Sequence, residues 1–214
     1  MYGRLVLIAG KMSENKQKPY PWLVPAIFTG AAFPVFALLW RARAHALGAN
    51  PIELVLNQLG YAALILLTLT LACTPLKIVF GWIWPIRIRK TLGLWAFFYA
   101  LLHVVAYAGF DQALNWGAIW EDVIERKFIF VGFTAFLILI PLALTSTSGM
   151  LKRLGFRNWQ RLHRLSYLAA LCAVVHFYWR VKKDITEPVI FGVVLAVLLS
   201  LRLFQKRKTS KATR

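Results

Sequence analysis

Residues 54–76 read LVLNQLGYAALILLTLTLACTPL, a run without a charged side chain from end to end. At 1.5 Å per residue a helix of that length covers about 34 Å, enough to cross the ~30 Å hydrocarbon core of a bilayer. Further uncharged runs occur at residues 22–40, 91–110, 128–151, 165–179 and 188–201. Hydrophobic residues make up 59% of the 214-residue chain and the mean hydropathy is +0.61, whereas roughly 45–50% apolar residues are usual in soluble domains. The pattern predicts an all-α integral membrane protein, a six-transmembrane-helix bundle in which each helix satisfies its own backbone polar groups. The fifth run is short, so its helix is expected to extend back through Arg161 and Arg164, whose long stems can snorkel to the interface.

The formal net charge of +18 takes its meaning from where the cations fall. If successive connections alternate between the two sides, most Lys and Arg collect on the side of the termini, in the connections around Arg87, Arg89 and Lys90 and around Lys152 to Arg164. Every acid except Glu14 falls on the opposite side. The positive-inside rule then predicts both termini in the cytoplasm. The expected layout is a cytoplasmic segment 1–21, a transmembrane domain 22–205, and a basic cytoplasmic tail 206–214 without fixed structure. A lipid bilayer is the implied surrounding and no nucleic acid is. The apolar stretch Leu5 to Gly10 is too short for the core of a signal peptide, so no cleaved leader is expected.

No GxGxxG, P-loop or nucleophile motif is present, which excludes a nucleotide-binding domain or hydrolase site of those types. Cys73 and Cys172 lie in apolar runs without CxxC spacing and read as packing residues. The informative polar residues are the four histidines. His45 reads as a solvated loop residue. His103, in the third run, stands fourteen residues beyond Arg89, and His176, in the fifth, fifteen beyond Arg161. On helices running the same way both rise about 21–22 Å from their inner flanks. Two imidazoles at one depth, among apolar and aromatic side chains, suit the two axial positions of a haem iron. Zinc fits less well, because no third ligand stands at that level. His163 lies about 20 Å lower and some 140° around the helix from His176. It is open to two readings: an inner metal ligand, or a donor to a cofactor's carboxylates or phosphate beside Arg89, Arg161 and Arg164.

The run Arg89-Lys-Thr-Leu-Gly-Leu-Trp95 leading to His103, Leu144-Thr-Ser-Thr-Ser148, and Trp159-Gln-Arg-Leu-His163 followed by Tyr167 and Val175-His176-Phe-Tyr-Trp179 resemble the MsrQ family. These are haem-binding membrane subunits of the ferric-reductase-like transmembrane superfamily. The resemblance covers roughly residues 20–205. The superfamily carries a histidine pair on each of two helices, whereas the third helix here has only His103. The resemblance implies a multi-pass protein of the bacterial inner membrane that carries electrons through haem b. It implies FMN as a further cofactor and the quinone pool or a cytosolic flavin reductase as electron source. It also implies a periplasmic partner, an MsrP-like molybdenum-cofactor enzyme that reduces methionine sulfoxide in oxidised proteins and performs the catalysis itself. The alternatives are a stand-alone ferric or quinone reductase, and a small transporter or assembly protein without haem. In the long outer connection, Asp111, Glu121, Asp122 and Glu125 form an expected docking surface for a basic patch on the partner.

Overall fold

The computed structural model describes residues 20–212, with side chains as far as residue 204. The readings made for residues 1–19, their cytoplasmic placement and the lack of a leader, lie outside the described residues. The elements are α1 (Leu23–Arg43), α2 (Pro51–Phe80), α3 (Trp84–Ala106) continued by a π turn (Tyr107–Asp111), α4 (Trp116–Glu125), α5 (Lys127–Leu144), α6 (Ser148–Leu154), α7 (Phe156–His163), α8 (Leu165–Arg180) and α9 (Thr186–Ala212). No strand occurs among the described residues.

Among the described residues five helices are long and apolar enough to cross a membrane: α1, α2, α3 with its π turn, α5 and α9. The expected fifth helix is shorter than the sequence reading made it. α8 has 16 residues, about 24 Å, because the α-helical ladder does not run through Arg164. The amides of Arg164 and Tyr167 bond carbonyls three residues back, at 3.2 and 3.1 Å, and the Ser166 hydroxyl donates to the His163 carbonyl at 2.8 Å. The basic tail, expected to lack structure, instead continues α9 as far as Ala212.

The long helices alternate in direction. His103 meets Leu56, and His176 meets Phe128, at what is termed here the upper end. Arg89 meets Thr74, and Arg202 meets Leu71, at the lower end. Local chemistry sets these boundaries. Asn50 caps α2 by accepting the Glu53 amide with Pro51 in the first turn, and Gly81, at φ 71°, ends it.

Helices in lipid gain little from burying apolar surface against one another, so close packing and interhelical hydrogen bonds hold them. Small residues supply the close packing: Ala96, Ala169 and Ala170 are buried at the contacts. The fully buried Tyr99 donates to the Ala31 carbonyl at 2.5 Å, fastening α3 to α1. Arg202 of α9 donates to the Tyr167 hydroxyl and the Leu71 carbonyl and lies over the Tyr167 ring, joining α2, α8 and α9. Phe33, Phe36, Leu39, Val193 and Val197 point outward, as a lipid-facing surface requires.

Candidate functional site

α3 and α8 bring His103 and His176 into one cleft. The two imidazoles face each other with ring centroids 6.3 Å apart and planes at 82°. Each ring has the same kind of seat. His103 Nδ1 lies 2.9 Å from the Leu56 carbonyl oxygen, and His176 Nδ1 lies 2.7 Å from that of Phe128. A carbonyl oxygen only accepts, so Nδ1 carries the proton and donates, and Nε2 keeps its lone pair for a metal.

Four residues beyond each carbonyl, on the same helix face, stands a glycine. A Cβ at Gly60 would lie 3.2 Å from His103 Nδ1, and one at Gly132 only 2.5 Å from His176 Nδ1. α2 and α5 thus repeat one device, a carbonyl that orients the ring and a missing side chain that admits it.

A metal–imidazole bond is about 2.0 Å, and the ring centre lies about 1.1 Å beyond the nitrogen, so rings on opposite sides of one metal would have centroids about 6.2 Å apart. The observed spacing fits. The protein supplies only these two donors, since no group of three His, Cys, Asp or Glu that could hold a metal converges among the described residues. A metal held by the two rings would need its remaining ligands from another source, as the iron of a tetrapyrrole has them. The cleft has a volume of about 1960 Å³, and its walls include Leu66, Phe133, Phe136 and Phe177. It has the size and the apolar lining for such a group.

At the upper end the π turn begins four residues after His103, and the chain then reverses through Ala113 and Leu114 at φ 48° and 59°. This reversal lays α4 against the mouth of the cleft, where Trp116, Ile119, Trp120 and Val123 join its wall. Asp122 is buried there. Its carboxylate accepts from the Tyr107 hydroxyl at 2.7 Å and Gln112 Nε2 at 2.8 Å, and pairs with Arg126 Nε at 3.0 Å. Of the four acids expected to face a partner, Asp122 is therefore turned inward, while Asp111, Glu121 and Glu125 are exposed.

The remaining sequence candidates are apart from the cleft. His163 stacks on Trp159 at 4.0 Å, and its Nε2 lies 3.2 Å from the Thr145 hydroxyl. That hydroxyl spends its proton on the Pro141 carbonyl at 2.6 Å, so His163 Nε2 is the donor to it. The Trp159 indole donates to the Thr145 carbonyl at 2.9 Å, completing the seat. Arg89 donates to the Thr74 hydroxyl at 3.4 Å. Arg161 and Arg164 are exposed at the lower end. His45 is exposed in the α1–α2 connection.

Sequence reasoning missed Gly60, Gly132 and the basic residues of the cleft wall, Arg126, Arg180, Lys182 and Lys183. Arg180 could have been found, since it stands one helical turn beyond His176 on the same face.

The family model for the ferric reductase like transmembrane component matches residues 59–174, from within α2 to within α8. Three relatives are described as the heme-binding subunit MsrQ of protein-methionine-sulfoxide reductase. The protein from Deinococcus radiodurans is 48% identical over 94% of this chain and 98% of its own length. That from Rhodospirillum rubrum is 45% identical over 87% of this chain and 91% of its own. That from Caulobacter vibrioides is 40% identical over 93% and 98%. With agreement of this extent, running through both histidine-bearing helices, the chain belongs to the MsrQ family, within the ferric reductase like transmembrane proteins.

Proposed function

We propose that this protein is a transmembrane haem b electron carrier in which His103 and His176 are the two axial ligands. The observation that carries the reading is the facing pair of imidazoles at 6.3 Å, each with Nδ1 committed to a carbonyl. The haem, when bound, supplies one-electron cycling between ferric and ferrous iron. The chain's own part is to hold the two lone pairs in opposition, to exclude water with apolar walls, and to close one mouth of the cleft with α4.

In this reading α8 is the sixth span, and both termini lie in the cytoplasm by the distribution of Lys and Arg. The upper end then faces the periplasm, and electrons leave there for a molybdenum-cofactor methionine sulfoxide reductase of the MsrP type. The relatives' description as subunits of a protein-methionine-sulfoxide reductase supports that destination. At the lower end, Arg89, Arg161 and Arg164 are the cations that an anionic donor such as FMN would meet, with the quinone pool or a cytosolic flavin reductase behind it. His163 serves there as a pin between α5 and α7, since its Nε2 is committed to Thr145. His163→Ala should accordingly leave the spectrum of the upper haem unchanged, and loss of that spectrum would assign His163 to the same centre.

The test of the whole reading is the reduced-minus-oxidised absorption spectrum of the detergent-purified chain, made in cells supplied with haem. A low-spin b-type spectrum at about one haem per chain is expected. A colourless, folded protein from such cells overturns the proposal.

A further inference from the structure

The cleft is polar at one end only. Below the histidines its wall is made of residues such as Ala31, Leu66, Leu67, Ala135 and Leu139. All the charged residues of the wall stand at the upper end, Arg126, Arg180, Lys182 and Lys183 among them. A porphyrin of the b type is an amphiphile with two carboxylates on one edge. An ionised carboxylate placed against an apolar wall without a partner is strongly disfavoured. The lower arginines offer no remedy, because Arg89, Arg161 and Arg164 do not line the cleft.

Resting on the haem reading above, we infer that the carboxylate edge of the porphyrin faces the upper end and is received by Arg180 and Arg126. Arg180 is four residues past His176, one turn and about 6 Å higher on the same helix face. It lies within electrostatic reach of both imidazoles. Its present partner is Glu53, at 3.6 Å, in a pair that is partly exposed on both sides. Such a pair is weak, and a ligand carboxylate can displace it. Arg126 uses only Nε for Asp122, so its two terminal nitrogens remain for a further acceptor. The bonds of Asp122 to Tyr107 and Gln112 hold that guanidinium in place.

The same mouth also carries the acids Glu53, Asp111, Asp184 and Glu187, so the cations act there through reach and bonding geometry and not through an excess of positive charge. Asp184 accepts the Thr186 amide at 2.9 Å, at the start of α9. Glu53 is engaged by Asn50 as well as by Arg180. The guanidinium fork also matches a carboxylate in two parallel bonds, which a lysine ammonium does not.

The experiment titrates haem-depleted full-length protein, in detergent, with haem and with haem dimethyl ester, whose two carboxylates are blocked. Binding is read from the low-spin spectrum, so no partner or turnover is involved. Wild type should prefer haem to the ester by at least about tenfold. Arg180→Gln should lose most of that preference by weakening haem and leaving the ester unchanged. Arg180→Lys should keep part of it, and Arg89→Gln and Arg164→Gln should keep all of it. If Arg180→Gln and Arg126→Gln both retain the full preference, or if wild type binds haem and ester equally, the assignment is wrong and the haem site stands. If neither porphyrin gives a low-spin spectrum with wild type, the haem site itself is wrong and the assignment falls with it.

Discussion

His103→Ala and His176→Ala should each remove the low-spin haem spectrum, by loss of the haem or by conversion to a high-spin form. Changing only an outer partner of a metal-bound histidine typically costs about 10–100-fold in metal affinity. Deleting the ligand itself should cost more, and here no other donor is at hand: no third His, Cys, Asp or Glu converges on the pair among the described residues. The vacated space would be bounded by Gly60 or Gly132, which offer no side chain. His45→Ala, in an exposed connection, is the matched control and should behave as wild type. The measurement is haem per protein and the reduced-minus-oxidised spectrum, with all variants prepared alike. A wild-type spectrum in both the position 103 and position 176 variants would sink the site and the electron-carrier reading built on it.

The second large effect comes from adding a single carbon. In Gly132→Ala the new Cβ falls 2.5 Å from His176 Nδ1, 2.8 Å from Cε1 and 2.9 Å from Cγ. These are contacts with the body of a ring, so the whole imidazole must withdraw and give up its 2.7 Å bond to Phe128. The same change at Gly60 puts the Cβ 3.2 Å from the His103 ring, which asks for a shift of only a few tenths of an ångström. Gly132→Ala should therefore lose haem nearly as completely as His176→Ala, and Gly60→Ala only in part. The stability of the empty protein should move much less. Alanine is favoured over glycine in a helix interior by about 0.5–1 kcal/mol, which offsets part of the about 0.5–1.5 kcal/mol lost with the hydrogen bond, so the haem-free Gly132→Ala variant should unfold within about 1 kcal/mol of haem-free wild type. Haem titration and thermal unfolding of the same samples separate the two effects. Full haem occupancy in Gly132→Ala would show that the seat is wider than described.

That contrast indicates what a sequence can and cannot disclose here. The long helices were readable because each follows from local composition and a fixed rise per residue. The common depth of His103 and His176 followed from the same rise, counted from Arg89 and Arg161. Gly60 and Gly132 were not readable, because each matters only through a ring some 43 or 44 positions away along the chain, and hydropathy does not record which helix packs on which. Asp122 was misjudged for a related reason. Its sequence neighbours Glu121 and Glu125 are exposed acids, and only the folding back of the π turn brings Tyr107 and Gln112 to its carboxylate. The break at Arg164 was hidden because the residues around it are acceptable in a helix. His163 and Ser166 end it through bonds to Thr145 and to the backbone. The inner arginines drew attention through their number, while Arg180, on the side with fewer cations, stands in the cleft wall.

The crossing of the two histidine planes at 82° has a meaning in orbital terms. An imidazole donates π density only at right angles to its own ring. Two parallel rings would therefore load one of the two dπ orbitals of an iron held between them, whereas crossed rings load both. The seats on α2 and α5 fix the rings crossed, in the way outer contacts tune a metal through its ligands. The two orbitals are then left close in energy, and an electron entering or leaving has no preferred axis in the porphyrin plane. In the proposed electron-carrier reading, a donor at the lower end and an acceptor at the upper end would meet the same pair of orbitals, and the angle between them around the haem would not matter.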